Sequence, residues 1–281
     1  MTEYVRPRAL DEALAVRAAH PDYMVLAGGT DLMVNANHKR EPAGIIDLWR
    51  LPGLHAITTS DDHIAIGAGA TWLEIQRHPR VLERYRALAA AAREIGALQI
   101  QARATLGGNV GTSSPVGDSL PALLAYDADL ELASVRGRRR VPYREFCTGY
   151  RKTQLAADEL IVAAHLPNPD PSSTTRTAWR KVGTRRAQSI SKVMGAAMID
   201  LDRDRRVRWA RIALGAVADR PIRITAAEDA VRGLPLAEAA EAAREATIAA
   251  IAPIDDVRST SAYRREVAGN VVAYFFSGII S

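Results

Sequence analysis

The segment Ala104-Thr105-Leu106-Gly107-Gly108-Asn109-Val110-Gly111-Thr112-Ser113-Ser114-Pro115 constrains this chain more than any other. It holds three glycines, one asparagine and four hydroxyl residues, few of which can contribute to an apolar core. Such a stretch gathers backbone amides and small polar groups, the chemistry that a polar ligand requires of a protein. The plainer reading is a long turn whose Asn and Ser side chains cap their own backbone, although turns of this length are uncommon. Asp118 follows, just ahead of the apolar run 120–124. It can accept hydrogen bonds from a ribose or adenine edge, or it can cap a helix.

A second glycine segment, Val25-Leu26-Ala27-Gly28-Gly29-Thr30-Asp31-Leu32, ends one apolar run and precedes residues 31–38, which read as the first turns of a helix. Two glycines at that junction permit a tight turn and let N–H groups approach an anion at a positive helix end. An ordinary strand-to-helix turn is the alternative. Neither segment carries a nicotinamide fingerprint: Gly67-Ala68-Gly69 meets Trp72 where a third glycine is required, and no acidic residue follows at the expected distance. There is no Walker-type Gly-Lys-Ser or Gly-Lys-Thr.

The order of elements bounds the fold. Residues 9–20 read as an amphipathic helix with Leu10 and Leu14 on one face, followed by strands at 23–26 and 45–48. Alternating segments at 55–59 and 63–67 flank Ser60-Asp61-Asp62 and predict a hairpin. An Ala-rich helix covers 85–95, and 128–135 with 139–146 form a second hairpin. Residues 167–175, with three prolines among Asn, Asp, Ser and Thr, have linker composition and place a domain boundary near residue 173. Strands at 196–202 and 207–217 and helices at 226–232, 236–252 and 261–276 complete an α+β arrangement.

With 281 residues there is room for two domains of about 150 residues each. The net charge of +5 with only 5% aromatics gives little support for nucleic acid as a partner. The basic runs 136–140 and 203–208 read as solvated hairpin tips. Cys147 is the single cysteine, expected as a packed thiol at a strand end, so this chain alone assembles neither an iron–sulfur cluster nor a cysteine zinc site. His20, His38, His55, His63, His78 and His165 form no metal-ligand motif and read as surface or turn residues. No apolar run is long enough for a transmembrane segment, and a cytoplasmic protein is expected.

Together the two glycine segments resemble the FAD-binding subunit or domain of the xanthine dehydrogenase and carbon monoxide dehydrogenase family of molybdenum hydroxylases. Leu26-Ala27-Gly28-Gly29-Thr30-Asp31-Leu32 is similar to the family's first flavin loop. Ala104-Thr105-Leu106-Gly107-Gly108-Asn109 with Ser114-Pro115 and Asp118 is similar to its second. The resemblance continues through Gly149-Tyr150-Arg151-Lys152-Thr153, Glu159-Leu160-Ile161, Lys181-Val182-Gly183-Thr184-Arg185-Arg186 and Ile190-Ser191-Lys192-Val193. It ends with Arg258-Ser259-Thr260 and Tyr263-Arg264-Arg265, so that it spans essentially the whole chain.

The resemblance implies a two-part, PCMH-like FAD-binding domain at 1–172, with a small βαβ lobe at 1–53 and an antiparallel-sheet lobe with helices at 54–172. A smaller α+β domain, an antiparallel sheet with helices, would follow at 176–281. It implies that Leu26, Ala27, Gly28, Gly29, Thr30 and Asp31, with Leu32, and Thr105, Gly107, Gly108 and Asn109, with Ala104 and Ser114, wrap the diphosphate and ribityl chain. Thr112 and Asp118 would meet the nucleotide half, and Leu160 and Lys181 the isoalloxazine or adenosine groups. The first loop lacks a histidine, so FAD is expected to be noncovalent. The chain would be an electron-transfer subunit with no acid, base, nucleophile or metal site of its own. Its expected partners are a small subunit with two 2Fe–2S clusters and a large subunit with the molybdenum cofactor, in a heterotrimer that dimerises. NAD, a quinone or oxygen would be the acceptor. A self-contained flavin oxidase with its own organic substrate is the alternative, and a scaffold that has lost FAD is another.

Overall fold

The computed structural model describes residues 2–34, 41–169 and 174–277. The chain opens with β1 (Glu3–Val5), α1 (Leu10–Ala19), β2 (Met24–Leu26) and β3 (Gly44–Asp47), the strands forming a parallel sheet in the order β1-β3-β2. Parallel strands need a crossover, and α1 carries the chain from β1 to β2 on the two edges of the sheet, burying Ala13 and Leu14 in the cluster that holds Tyr23, Ile46 and Leu48. After β2 the backbone makes turns at residues 31–34, where Met33 N donates to Gly29 O at 3.0 Å and Val34 N to Asp31 O at 3.2 Å. The rest of the expected helix at 31–38 lies outside the described residues.

Next come β4 (Ile57–Thr59) and β5 (His63–Gly67), the expected hairpin, and then α2 (Trp72–Arg77), α3 (Pro79–Arg84), α4 (Arg86–Glu94), α5 (Leu98–Gln101), α6 (Leu106–Thr112) and α7 (Leu120–Ala125). Thr71 and Glu74 cap α2 reciprocally, a Thr-x-x-Glu signal that is present in the sequence. The lobe closes with β6 (Asp129–Ser134), β7 (Gly137–Pro142), α8 (Tyr143–Phe146), β8 (Cys147–Gly149), β9 (Lys152–Thr153) and β10 (Leu160–Pro167). The large sheet is antiparallel in the order β4-β5-β10-β6-β7, so the last strand of the lobe inserts at its centre. Trp72, Tyr85, Leu88, Leu106 and Leu123 pack with Ile64, Ile66, Leu130 and Leu166 in one core, each such side chain contributing about 1.5–3 kcal/mol of transfer free energy.

Three expectations are corrected here. The second strand of the later hairpin runs 137–142 and not 139–146, because Tyr143 and Phe146 turn inward as α8 and bury their rings. The basic run 136–140 is not merely a solvated tip: Arg138 lies along β7 with Nη1 2.6 Å from Glu131, and Arg139 Nε is 2.6 Å from the buried Glu159. His165 is not a surface residue; it is 8% exposed on β10, with Nε2 2.7 Å from Glu131 Oε2. Burial pushes its pKa below the ordinary value, the Arg140 charge adding to this and Glu131 opposing it.

The remaining chain forms β11 (Arg176–Val182), β12 (Val193–Leu201), β13 (Val207–Gly215), β14 (Ile222–Arg223), α9 (Thr225–Ala230), α10 (Leu236–Ala250) and α11 (Ser261–Ser277). The sheet is antiparallel in the order β11-β12-β13-β14. The last helices cover one face through Val193, Ile199, Ile212, Leu214, Val272 and Phe276. Ala196, Met198 and Ala213 belong instead to the core of the preceding lobe, where α7 packs on β12 and β13. Every residue of β12 is buried, as expected for a strand covered on both faces.

Candidate functional site

The two glycine segments meet. Gly28 lies against the backbone of Arg103, where an added Cβ would fall 1.8 Å from the carbonyl oxygen, so no larger residue fits without displacement. Arg103 Nε donates to Gly28 O at 3.4 Å, and its guanidinium carbon stands 3.8 Å from the centre of the Trp49 ring. Gly29 completes the bend at φ 78°, a backbone region that favours glycine. Both segments line one cleft of about 700 Å³, within the usual range for a small-molecule site.

Of the residues expected at a ligand, Ala27, Gly28, Gly29, Thr30, Asp31, Leu32, Ala104, Thr105, Gly107, Gly108, Asn109, Thr112, Ser114 and Leu160 line this cleft. Leu26, Asp118 and Lys181 are not part of the lining. Leu26 closes β2 in register with Asp47. Asp118 and Lys181 are used on each other: Lys181 Nζ lies 2.6 Å from Asp118 Oδ2 and donates also to Glu94 O, while Ser191 Oγ donates to Asp118 Oδ1 at 2.6 Å. Burial pushes the Asp118 carboxyl above its ordinary value, and the Lys181 charge and Ser191 hydroxyl oppose that shift. Asp118 therefore does not cap α7, whose N-cap is Ser119. It fastens the chain after the second glycine segment to the C-terminal sheet.

Hydrogen bonding separates the two segments. Among the described residues, the N–H groups of Ala27, Gly28, Gly29, Thr30 and Asp31 donate to no acceptor, leaving five consecutive donors in the cleft wall. Successive uncommitted amides form an anion-binding concavity. The second segment is not a long turn but the helix α6, with Thr105 as N-cap: its Oγ1 accepts from Gly108 N at 3.1 Å. Leu106 N donates to Ala70 O, Gly107 N to Ala68 O and Asn109 N to Thr105 O, so these amides are committed within the protein. Gly107 is needed for the same reason, since a Cβ there would come 2.7 Å from Ala68 Cβ. A Cβ at Gly108 would approach only Thr105 Oγ1, at 3.0 Å. The second segment thus offers a bare backbone at Gly108 and the polar side chains of Asn109, Thr112 and Ser114. Ser119 Oγ donates to Asn109 Oδ1 at 2.7 Å and fixes that amide.

The cleft also has walls that no local pattern announces: Arg17, Tyr23, Leu48, Trp72, Ile95 and Ile100 arrive from separate elements. Two of them hold buried donors with no protein partner, Trp72 Nε1 and Arg17 Nε. An orphaned buried donor is costly, so an acceptor-rich ligand between these walls suits the site. Burial lowers the Arg17 pKa from its ordinary value, and Arg17 Nη1 donates to Tyr23 O at 2.8 Å. Arg151 and Asp31 face each other at 3.9 Å across the lining, an exposed pair of small energetic weight. Cys147 is a buried thiol accepting from Ser113 Oγ at 3.1 Å. Among the described residues no cluster of His, Cys, Asp or Glu is placed to hold a metal ion, and no helix is long and apolar enough to cross a membrane.

Residues 1–169 match the family described as the FAD binding domain in molybdopterin dehydrogenase. The chain belongs to this family. Residues 178–279 of the flavoprotein match a second family, the CO dehydrogenase flavoprotein C-terminal domain. The flavoprotein is 35% identical over 264 residues to a putative xanthine dehydrogenase FAD-binding subunit of Escherichia coli K12, covering 93% of this chain and 90% of the relative. It is 33% identical over 240 residues to the nicotinate dehydrogenase FAD-subunit of Eubacterium barkeri, covering 83% and 80%. Among solved structures it is similar to carbon monoxide dehydrogenase from Hydrogenophaga pseudoflava in a form lacking the Mo-pyranopterin moiety of the molybdenum cofactor. The TM-score is 0.91 at 30% identity, with 97% of this chain and 94% of that chain covered.

Proposed function

We propose that this flavoprotein is the FAD-carrying subunit of a heteromeric molybdenum hydroxylase, taking electrons from the 2Fe–2S clusters of a small partner subunit and passing them to NAD, a quinone or oxygen. A large subunit with the molybdenum cofactor would complete a cytoplasmic complex. The observation that carries the reading is the meeting of a glycine bend and the glycine-bearing helix α6 around one cleft with five uncommitted amides in its wall. When bound, FAD supplies the redox chemistry, and the protein supplies binding, orientation and electrostatics.

In this reading the N–H groups of Ala27, Gly28, Gly29, Thr30 and Asp31 hold the diphosphate oxygens. Asn109, Thr112 and Ser114 hold hydroxyl groups of the ligand, and the missing side chain at Gly108 lets it approach the backbone of α6. Leu32, Ala104, Leu160, Ile95 and Ile100 exclude water from its apolar parts. Leu26, Asp118 and Lys181 position these walls from outside the lining. No residue forms a covalent bond to the cofactor. The FAD-binding domain ends near 172 and the second begins near 176, an assignment supported by the ends of the two family matches.

Titration of the purified chain with FAD, followed by flavin fluorescence, tests the reading: saturable binding is expected, with all flavin released by acid precipitation. Absence of binding would sink it. Chain loaded with FAD alone should keep its flavin oxidised when given a purine, an aldehyde or an N-heterocycle; reduction under those conditions would favour the self-contained oxidase.

A further inference from the structure

A second cavity, of about 750 Å³, lies between α4 and β11 and shares no lining residue with the flavin cleft. Consecutive residues border the two, Ile95 the first and Gly96 the second. Arg93, Arg180, Arg185 and Arg186 stand around this cavity, with Glu94 as the one carboxylate in its wall. Lys181 also borders it but is already neutralised by Asp118.

What sets these four exposed arginines apart is that they border one cavity without a neutralising carboxylate on any of them; arginines without an ion pair, such as Arg77 and Arg86, otherwise stand apart from it. Among the described residues, Arg136, Arg138, Arg139, Arg208, Arg223 and Arg264 each lie within 3 Å of a carboxylate, whereas none of the four arginines of the cavity forms an ion pair. Local roles account for part of the arrangement. Arg93 ends α4, where a cation offsets the helix dipole. Arg180 lies 5.2 Å from the Tyr274 ring centre, and Arg185 holds its own loop through Ala187 O and Gln188 O. None of these roles removes charge, and Arg186 has no such role. Like charges converging on a concavity repel one another and raise the local concentration of anions. Guanidinium groups match phosphate oxygens with two parallel hydrogen bonds, and Trp179 adds a flat apolar wall.

We infer that this cavity binds a small phosphate-bearing anion of the pyrophosphate class, at a site separate from the flavin cleft. The inference goes beyond the flavin reading and does not rest on it.

The probe is inorganic pyrophosphate, titrated calorimetrically into the full chain saturated with FAD and into the same chain without FAD. Binding is expected in both, weakened about tenfold or more by Arg186→Glu, the loss of one charge-assisted contact. Arg203→Glu, on an exposed turn far along the chain, should leave the affinity unchanged. Thermal melting of each variant shows that the fold is kept. The inference is overturned by no binding to the FAD-saturated chain, by equal affinity in Arg186→Glu, or by an equal loss in Arg203→Glu, which would mark diffuse screening. An acidic partner subunit that binds this face when pyrophosphate does not would equally overturn it. Failure to bind FAD leaves the comparison between the unmodified chain and Arg186→Glu intact, so the two readings fail separately.

Discussion

The bend at 27–31 and the capped helix at 105–112 share glycine-rich chemistry and use it in opposite ways. The first keeps its amides uncommitted and needs Gly28 because the Arg103 backbone presses against it. The second commits its amides to the Ala68 and Ala70 carbonyls and to its own helix, and its accessible backbone lies at Gly108 and Gly111, where an added Cβ would meet only Thr105 Oγ1 at 3.0 Å and Ile161 Cδ1 at 3.6 Å. A glycine pair in a sequence therefore announces a close approach without saying whether protein or ligand makes it.

Substitutions can break that contrast, beginning with the most severe. Gly28→Val should destabilise the chain by about 3 kcal/mol through forced displacement of the Arg103 backbone, and flavin should be lost with the fold. Chemical denaturation and flavin absorbance are the readouts, and a stable, colourless protein would mean that Gly28 serves the ligand more than the packing. Lys181→Met strands the Asp118 carboxylate and should cost about 3 kcal/mol near neutrality. Because burial raises the Asp118 pKa, its folded form binds a proton more readily than its unfolded form, and stability falls as pH rises through that range. The deficit of Lys181→Met should therefore shrink on acidification, as a neutral carboxyl needs no counter-ion; a deficit independent of pH would contradict the ion pair.

Gly108→Leu should show the reverse of Gly28→Val, retaining its melting temperature to within a few degrees, roughly the shift of 1 kcal/mol, while losing FAD binding. Unfolding of this variant would erase the distinction between the two glycine segments. The mildest effect is expected for Thr105→Ala, which removes an N-cap worth about 1 kcal/mol and should weaken flavin binding by less than tenfold. A larger loss of flavin with unchanged stability would show that the Thr105 hydroxyl serves the ligand directly.

Much of this site is legible before folding, because glycine, Asn and Thr in sequence are local signals. The strand at 24–26, the helix at 10–19 and the last three helices follow from apolar periodicity, and the structure places fourteen of the seventeen expected residues in one cleft wall. The rest escaped for physical reasons. The central strand Leu160–Pro167 is buried along nearly its whole length and lacks the alternation that marks a half-exposed strand. Arg17, Trp72 and Ile95 reach the cleft only through tertiary packing. The pairing of Asp118 with Lys181 spans 63 residues, a separation that no spacing rule covers. Helix α6 was obscured by glycines that disfavour helix in isolation and are tolerated here because segment 68–70 holds the first turn.

The strand at 193–201 has a consequence for the architecture as a whole. With the last helices on one side and α7 on the other, it is the middle ply of a laminate, so peeling the C-terminal half away would wet Ala196, Met198 and Ala213. Produced alone, that half would carry a sticky slab on its outside, and self-association is the way such a surface finds cover.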